Sequence, residues 1–364
     1  MAGTKTGDFK EIISPYLKKL IKDIEKKYGV NSKEALSIKK QYLYDKSEKI
    51  RSNSENLRHY YSEVDVNFNG KKIVGVERLY KKTILIEPTT VCAAHCRWCL
   101  RGQYPVKTMK SDEITNAIKY IGTLEEVNEV LITGGDPLMS LPLLGFTISE
   151  IKNFAPNIKI IRIGTRVPVQ DPTRINEKML DIFKRYDSFR YEVGLNICNH
   201  NEFTPEANDA IKRLNNAGIR LYNQNPLLKG VNDDYDSLCR LFELLREHNI
   251  EAHYLFHAIP MLGGNHHRTS LRKGLDLIEK ISSSGEFSGR AKPKYAVLSD
   301  IGKIVLYEDC IITEDKENSK ILLKSGFKYK DRLKWVPGWQ LPESACLDKN
   351  DIMSVWYQDA NELG

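Results

Sequence analysis

The sequence lacks any long hydrophobic run. No stretch of its 364 residues approaches the roughly 20 consecutive apolar residues that a membrane-spanning helix needs. Its opening residues, MAGTKTGDFKEII, contain no apolar segment of the length found in signal peptides. We therefore expect a cytoplasmic protein that is not anchored in a membrane.

Cysteine is sparse and the net charge is small. Seven cysteines in a chain of this length do not suggest a disulfide framework, so a reducing compartment is expected. Three of the seven are clustered, and we interpret the others as ordinary thiols: Cys198, Cys239, Cys310 and Cys346. The net charge of +7 is concentrated in a lysine-rich N-terminal part. Such runs usually form a solvated face, and nucleic-acid binding is the minority alternative.

The clustered cysteines are Cys92, Cys96 and Cys99, in the segment CAAHCRWC. Three thiolates this close can hold one metal centre, and they leave open the fourth position that a closed structural site would fill. An open position is what a catalytic metal needs. The alternatives are a zinc site with its fourth ligand elsewhere, or buried thiols. His95 lies too close in sequence to the cysteines to fold back easily as that ligand.

From residue 83 onwards, short strand-like runs alternate with amphipathic helical segments. The predicted strands are 83–88, 129–134, 158–164, 190–196, 220–226 and 251–257. Six strand–helix units in series indicate an α/β fold with a parallel sheet and right-handed crossovers. Because a closed barrel of this type has eight units, we predict a partial (β/α)6 barrel. The active site would lie at the carboxyl ends of the strands, where the cysteine loop follows the first of them.

We predict three regions along the chain: residues 1–82, 83–290 and 291–364. The first is a helical extension, with one helix ending near Gly29 and a second starting at Ser32. Its helices are basic, and we expect them to lie far from the cysteines and to cover the barrel or a partner subunit. The second region is the partial barrel. The third contains strand-like segments, a charged hairpin turn and an irregular aromatic tail, a candidate cap for the open barrel.

A glycine pair follows the second predicted strand, in Gly134-Gly135-Asp136-Pro137. Two glycines at a strand end allow the backbone to approach a ligand closely. Taken alone, the same four residues also describe an ordinary turn.

Taken together, these motifs resemble a known family. Cys-x-x-x-Cys-x-x-Cys, with an aromatic residue before the last cysteine, resembles the signature of the radical S-adenosylmethionine (SAM) superfamily. LITGGDPL, IKIIRIGTRVPVQDPTRI, LNNAGIRLYNQNPLLKGVND and HHRTS resemble the lysine 2,3-aminomutase family, in the same order. The resemblance implies a partial barrel, usually oligomeric, that uses a 4Fe–4S cluster, SAM and pyridoxal phosphate (PLP).

The resemblance also implies roles for individual residues. The cluster ligands would be Cys92, Cys96 and Cys99, and the SAM site would be lined by Gly134, Gly135, Asp136, Pro137 and Gln224. Arg101 would pair with the substrate carboxylate, since a guanidinium binds a carboxylate through two hydrogen bonds. From its position at the end of the third predicted strand, Arg166 would face the cavity and bind the cofactor, or form a salt bridge on the rim of the barrel. Lys303 would bind PLP, because a primary amine forms a reversible imine with an aldehyde.

The chain departs from the family in three places. The glycine run before the PLP lysine is replaced by Leu298-Ser299-Asp300-Ile301-Gly302, and the arginine-rich run after the last cysteine is reduced to Leu100-Arg101-Gly102-Gln103. Lysine-specific members hold the distal ammonium of the substrate with two aspartates. Here the first position falls near Ile259, and Asp300 is an offset candidate for the second. We therefore predict a substrate other than lysine.

The resemblance thus predicts an enzyme that generates a 5′-deoxyadenosyl radical from SAM and removes hydrogen from a small, amino-acid-like substrate. With PLP on Lys303, the reaction would be a 2,3-aminomutase-type shift of the amino group of an amino acid other than lysine. The enzyme would require a reducing electron donor, and the resemblance implies a homo-oligomer. One alternative is PLP-free radical chemistry that rearranges, cleaves or epimerises a small molecule or peptide. Another is a non-catalytic iron–sulfur or zinc protein that binds nucleic acid.

Overall fold

A nine-stranded sheet, curled into half a barrel, forms the centre of the fold. The computed structural model describes residues 10–50, 66–78, 80–99, 106–261, 263–307 and 310–360. The strands are β1 (Asn67–Phe68), β2 (Lys71–Lys72), β3 (Val76–Glu77), β4 (Thr83–Thr89), β5 (Glu129–Gly134), β6 (Ile160–Thr165), β7 (Arg190–Leu195), β8 (Arg220–Leu227), β9 (Glu251–His257), β10 (Lys294–Ser299), β11 (Gly302–Val305), β12 (Ile311–Asp315), β13 (Lys320–Lys328), β14 (Ala345–Leu347) and β15 (Ile352–Gln358).

The described helices lie before, between and after these strands. They are α1 (Pro15–Tyr28), α2 (Lys33–Tyr42), α3 (Ser111–Gly122), α4 (Leu141–Phe154), α5 (Val167–Gln170), α6 (Glu177–Arg185), α7 (Pro205–Asn216), α8 (Tyr235–Glu247), α9 (Leu271–Ser283) and α10 (Tyr329–Trp335).

The main sheet has the order β11-β10-β9-β8-β7-β6-β5-β4-β3. All six predicted strands are confirmed as β4 to β9, with bounds that differ by at most two residues. They are parallel, and β10 adds a seventh parallel strand. Antiparallel β3 and β11 pair with β4 and β10 at the two edges. The sheet therefore continues past residue 290, into the region that we assigned to the C-terminal extension.

Strand β6 illustrates how the two faces of the sheet differ. Ile161 and Ile163 are buried in the main core, which they share with residues of the surrounding helices. On the opposite face, which is the interior of the half-barrel, Arg162 donates to Glu129 Oε1 at 2.7 Å and to the Tyr222 hydroxyl at 2.7 and 2.9 Å. The strand alternation thus separates an apolar outer layer from a polar barrel interior.

The N-terminal helices begin and end at the residues that their capping chemistry dictates. The Ser14 hydroxyl accepts from the Leu17 amide at 3.1 Å and starts α1, and Gly29, with φ of 94°, ends it. The Ser32 hydroxyl starts α2 in the same way. The second helix ends at Tyr42.

The apolar face of these two helices packs on the cysteine loop. Ala94, between the first two clustered cysteines, is buried in a second hydrophobic core that also contains Leu17, Leu20, Ile21, Ile24, Ala35, Ile38 and Tyr42. The expectation that the N-terminal helices lie far from the cysteines is therefore wrong.

Polar contacts strengthen the same interface. The backbone amide of His95 donates to the Ile12 carbonyl at 2.8 Å, and that of Arg97 donates to the Gln41 carbonyl at 3.0 Å. The Arg97 guanidinium, fully buried, forms a two-point ion pair with Glu48, including a 2.8 Å bond from Nε to Oε1. The N-terminal extension thus holds the cysteine loop through both backbone and side-chain contacts.

The C-terminal residues form a separate antiparallel sheet of order β12-β13-β15-β14. The predicted charged hairpin is present as β12 and β13. The segment that we expected to be irregular contributes β14 and β15, because β15 alternates buried Met353, Val355 and Tyr357 with more exposed neighbours and pairs along β13. Across the described parts of the chain, no helix is long and apolar enough to span a bilayer.

Replacing Glu48 with alanine should destabilise the protein strongly. The change leaves the Arg97 guanidinium buried without its carboxylate partner, and removing one member of a buried ion pair costs about 3–5 kcal/mol. Urea unfolding of the metal-free protein measures this loss of free energy. The matched control is Glu177→Ala, which breaks an exposed pair with Lys184 and should cost about 0–1 kcal/mol. Equal effects of the two changes would contradict the assigned role of Glu48.

Candidate active site

The carboxyl ends of the parallel strands surround a cavity of about 290 Å³. Its walls come from the cysteine loop after β4, from the ends of β5 to β9, and from β10. Most of the candidate site residues line it: Cys92, Cys96, Cys99, Gly134, Gly135, Asp136, Arg166 and Gln224. Residues separated by more than 130 positions in sequence therefore meet in one site.

Three other candidates have different positions. Pro137 is buried next to Asp136 and starts a short 3-10 turn after β5. Lys303 lies on β11, opposite the cavity residue Leu298. Arg101 lies outside the described residues, so its pairing with a substrate carboxylate stays a prediction.

Cys92, Cys96 and Cys99 are half-buried thiols. Burial, and then the neighbouring Cys99, raise the pKa of the Cys92 thiol. A thiolate in such a place needs a cationic partner, which a metal centre supplies. Within the described residues, no three cysteine, histidine or carboxylate side chains converge closely enough to hold a single metal ion.

Arg166 is buried, and its guanidinium reaches one of the clustered cysteines. Its Nη1 donates to Cys96 Sγ at 2.9 Å, and its Nη2 contacts Glu202 Oε1 at 2.5 Å and Gln41 Oε1 at 3.1 Å. The surrounding anionic and thiol groups raise the pKa of Arg166 although burial opposes this. Gln170, one turn further on in α5, places its Nε2 at 3.3 Å from the same sulfur.

Asp136 holds the end of the neighbouring strand. Its carboxylate accepts from the Thr165 hydroxyl at 2.7 and 2.8 Å and from the backbone amides of Leu138, Arg166 and Val167 at 2.8–3.2 Å. Burial raises its pKa, and these hydrogen bonds oppose the rise. Asp136 therefore fixes the backbone from which Arg166 projects.

Gly134 and Gly135 pack against the chain that leads into the cysteine loop. Gly134 has φ of 112°, and the Gly135 amide donates to the Thr89 carbonyl at 2.7 Å. A Cβ atom on Gly135 would lie 2.3 Å from the Thr90 carbonyl carbon and 2.5 Å from the Val91 carbonyl oxygen. The glycine pair thus serves close backbone packing between the two loops.

Lys303 is half-buried in the interior of the half-barrel. Its Nζ lies 4.2 Å from the ring centre of Tyr254 and 4.9 Å from that of Phe256. Burial, and then the charge of Arg162, lower its pKa to about 8. Because Phe256 also lines the cavity, the amine lies next to one of the residues of the cavity wall.

The comparisons with known proteins agree with this geometry. Residues 86–242 match the model of the radical SAM superfamily. A Clostridium subterminale protein named L-lysine 2,3-aminomutase is 31% identical over 296 residues, which cover 78% of this chain and 68% of that protein. The chain belongs to the lysine 2,3-aminomutase family.

Two further relatives have names that refer to two different amino acids, lysine and glutamate. An Aquifex aeolicus protein, whose name assigns the L-lysine 2,3-aminomutase activity only provisionally, is 38% identical over 230 residues, 62% of this chain and 61% of that protein. A Clostridioides difficile protein named glutamate 2,3-aminomutase is 33% identical over 61% of this chain and 52% of its own length. The chain thus spans about three fifths of the first of these relatives and half of the second.

Membership of the radical SAM superfamily implies a 4Fe–4S cluster and SAM. The chemistry of the residues that line the cavity suits both. A cluster binds each cysteine through a different iron atom, so its three ligands need not meet at one point. Several buried nitrogens of the cavity wall have no hydrogen-bond partner among the described residues: Arg166 Nε, His257 Nε2, and Nδ1 and Nε2 of His267. Buried polar atoms need partners, which a bound ligand would supply.

Sequence reasoning missed Glu202 and Gln170. A signal for Gln170 was present, because it follows Arg166 by four residues and so lies on the same side of one helical turn. Asn199-His-Asn-Glu202 has the spacing of a capping box, and Glu202 does bond the Asn199 amide at 2.9 Å. Nothing in that local pattern indicates its bond to Arg166.

Replacing Gly135 with alanine should displace the cysteine loop and lower iron incorporation. The added methyl group meets backbone atoms, which can only shift at a cost of about 1–3 kcal/mol. Iron and sulfide content after anaerobic reconstitution would measure the effect. The matched control is Gly145→Ala in α4, where the nearest atom lies 3.9 Å from the new Cβ. A Gly135→Ala protein with full iron content would show that the close packing is not required.

Proposed function

We propose that this protein is a radical SAM aminomutase that moves the amino group of an α-amino acid other than lysine from carbon 2 to carbon 3. The observation that carries the proposal is the position of Lys303 next to the wall of a cavity lined by the three clustered cysteines. Leu298 pairs with Lys303 across β10 and β11 and lines the cavity itself. Directly opposed residues of antiparallel strands share one face of the sheet, so the amine projects into the barrel interior.

The environment of Lys303 suits a lysine that binds PLP. A lysine with a pKa of about 8 has a substantial neutral fraction near pH 7.5, and only the neutral amine attacks an aldehyde. Two aromatic rings, Tyr254 and Phe256, limit the positions that its ammonium group can take. PLP, when bound, supplies the electron delocalisation that an amino migration requires.

The remaining chemistry is divided among the cavity residues. Cys92, Cys96 and Cys99 would hold the cluster, which, with SAM and one electron from a reducing donor, would supply the 5′-deoxyadenosyl radical. The walls of the cavity hold the substrate in line with that radical and exclude water. Arg101 is proposed to bind the substrate carboxylate.

The described wall of the cavity offers no partner for a cationic side chain. Among its described lining residues Asp136 is the only acidic one, and both of its oxygens already accept hydrogen bonds. The wall near the position of the family aspartate contains Ala258, Ile259 and Met261. A substrate ammonium would lose its hydration there without a compensating charge. One relative is named glutamate 2,3-aminomutase, which supports the proposal that members of this family act on amino acids other than lysine.

One observation favours the PLP-free alternative. Ser299 pairs with Gly302, so Asp300 and Ile301 form a tight two-residue turn between β10 and β11. Ile301 is fully buried, and Gly302, with φ of 119°, is the single glycine of this segment. The turn replaces a glycine run that would allow closer approach of a cofactor. An oligomeric state and a cytoplasmic location stay predictions from the resemblance and the composition.

Anaerobically reconstituted protein should cleave SAM to 5′-deoxyadenosine when PLP, a reductant and its amino acid are supplied. Mass spectrometry of reactions with single amino acids should reveal a β-amino acid, and lysine should give none. Lys303→Ala should lose the visible absorbance of bound PLP and the product, whereas the exposed Lys294→Ala should keep both. SAM cleavage without PLP absorbance in the wild type would contradict the PLP-dependent proposal and support the alternative.

The reaction of Lys303 with PLP should depend on pH with a midpoint at about 8, because the protonated amine is unreactive. Borohydride trapping followed by peptide mapping, over a range of pH, measures this. Arg162→Gln should move the midpoint upward, since it removes a positive charge that disfavours the ammonium. An unchanged midpoint in that variant would show that Arg162 does not act on Lys303.

A further inference from the structure

The Arg166 guanidinium contacts a cluster ligand and a buried carboxylate at the same time. One terminal nitrogen donates to Cys96 Sγ at 2.9 Å, and the other contacts Glu202 at 2.5 Å. The side chain of Glu202 is fully buried and that of Arg166 is 9% exposed. A cation is therefore held against one of the three clustered cysteines, and its own side chain is largely shielded from water.

Glu202 is itself held in place by three other donors. The Tyr42 hydroxyl reaches its Oε1 at 3.1 Å, and the backbone amides of Cys198 and Asn199 reach its Oε2 at 2.7 and 2.9 Å. A carboxylate with both oxygens satisfied cannot turn away from Arg166 without losing these bonds. Glu202 therefore holds the Arg166 guanidinium in the orientation that points towards Cys96.

The N-terminal extension forms the remaining part of this arrangement. Gln41, at the end of α2, accepts from Arg166 at 3.1 Å, and the neighbouring Tyr42 ring lies 5.3 Å from the guanidinium carbon. On the other side the Trp98 ring lies 4.9 Å from the same carbon. Arg166 is therefore enclosed by the extension, by the cysteine loop and by Glu202.

We propose that Arg166 is a positioning residue that donates a hydrogen bond to the Cys96 thiolate and thereby raises the reduction potential of the cluster, with Glu202 and the N-terminal Gln41 fixing its direction. Reduction adds one electron to the cluster, and a cationic donor at a ligand sulfur stabilises the added negative charge. The proposal rests on the cluster that the proposed function requires. It assigns to the extension a part in the redox chemistry as well as in folding.

The test is a potentiometric titration of the reconstituted cluster, followed by electron paramagnetic resonance without SAM. The main variant is the double change Arg166→Gln with Glu202→Gln, which removes both charges together and leaves no lone buried charge. Gln41→Leu removes only the contact from the extension. The control is Arg78→Gln with Glu126→Gln, a buried arginine and its partner that, within the described residues, contact none of the clustered cysteines. Iron and sulfide content are measured for each protein.

We expect the double variant to titrate at a more negative potential, by about tenfold in the reduction equilibrium, or about 59 mV for one electron. Gln41→Leu should shift in the same direction by less, and the control should match the wild type. A cluster-loaded double variant with the wild-type potential would overturn the proposal. If the double variant assembles no cluster, an unchanged potential in Gln41→Leu overturns the assigned role of the extension. A wild-type protein that assembles no 4Fe–4S cluster would contradict the proposed function itself.

Discussion

Close packing between the glycine pair and the start of the cysteine loop is the constraint on which the site depends. The backbone of Gly135 approaches Thr90 and Val91 so closely that no side chain fits between them. The amides of Gly135 and Asp136 bond the Thr89 and Val91 carbonyls at 2.7 and 2.8 Å. These contacts join the ends of two neighbouring parallel strands, so the direction in which the cysteine loop leaves β4 is determined by β5. The same residues that resemble a SAM-binding motif therefore have a structural requirement of their own.

From that junction the polar network extends along the sheet edge. Asp136 bonds the end of β6 through Thr165 and the Arg166 amide, and the Arg166 side chain returns to Cys96. The end of each strand thus positions the end of the next strand. The series of contacts begins and ends at the cysteine loop. A group bound by Cys96 would be sensitive to changes as far away as Glu202, because the intervening groups are buried and have few alternative partners.

The sequence was sufficient for the parts of the fold that local patterns encode. Strands β4 to β9 follow from short apolar runs between helical segments, and the end of α1 and the start of α2 follow from Gly29 and Ser32. Strand β10 was missed because Lys294–Ser299 follows a loop rich in glycine and serine, with no amphipathic helix after it. The contact between Glu202 and Arg166 joins residues 36 positions apart, and no local pattern reveals it. The parallel sheet did allow us to predict which candidate residues share a cavity, because the carboxyl ends of parallel strands meet at one edge of the sheet.

The boundary that we predicted at residue 82 marks a change in the sequence pattern. The residues before it nevertheless contribute directly to the candidate cluster site. Residues 10–48 supply the carbonyls that bond His95 and Arg97, the carboxylate that pairs with Arg97, and the amide oxygen that orients Arg166. Ala94 completes the apolar core of the two N-terminal helices. A cysteine loop without this extension would expose Ala94 and leave the Arg97 guanidinium without its carboxylate, and both changes cost free energy. The extension is therefore better described as one wall of the cluster site than as a cover added to a finished barrel.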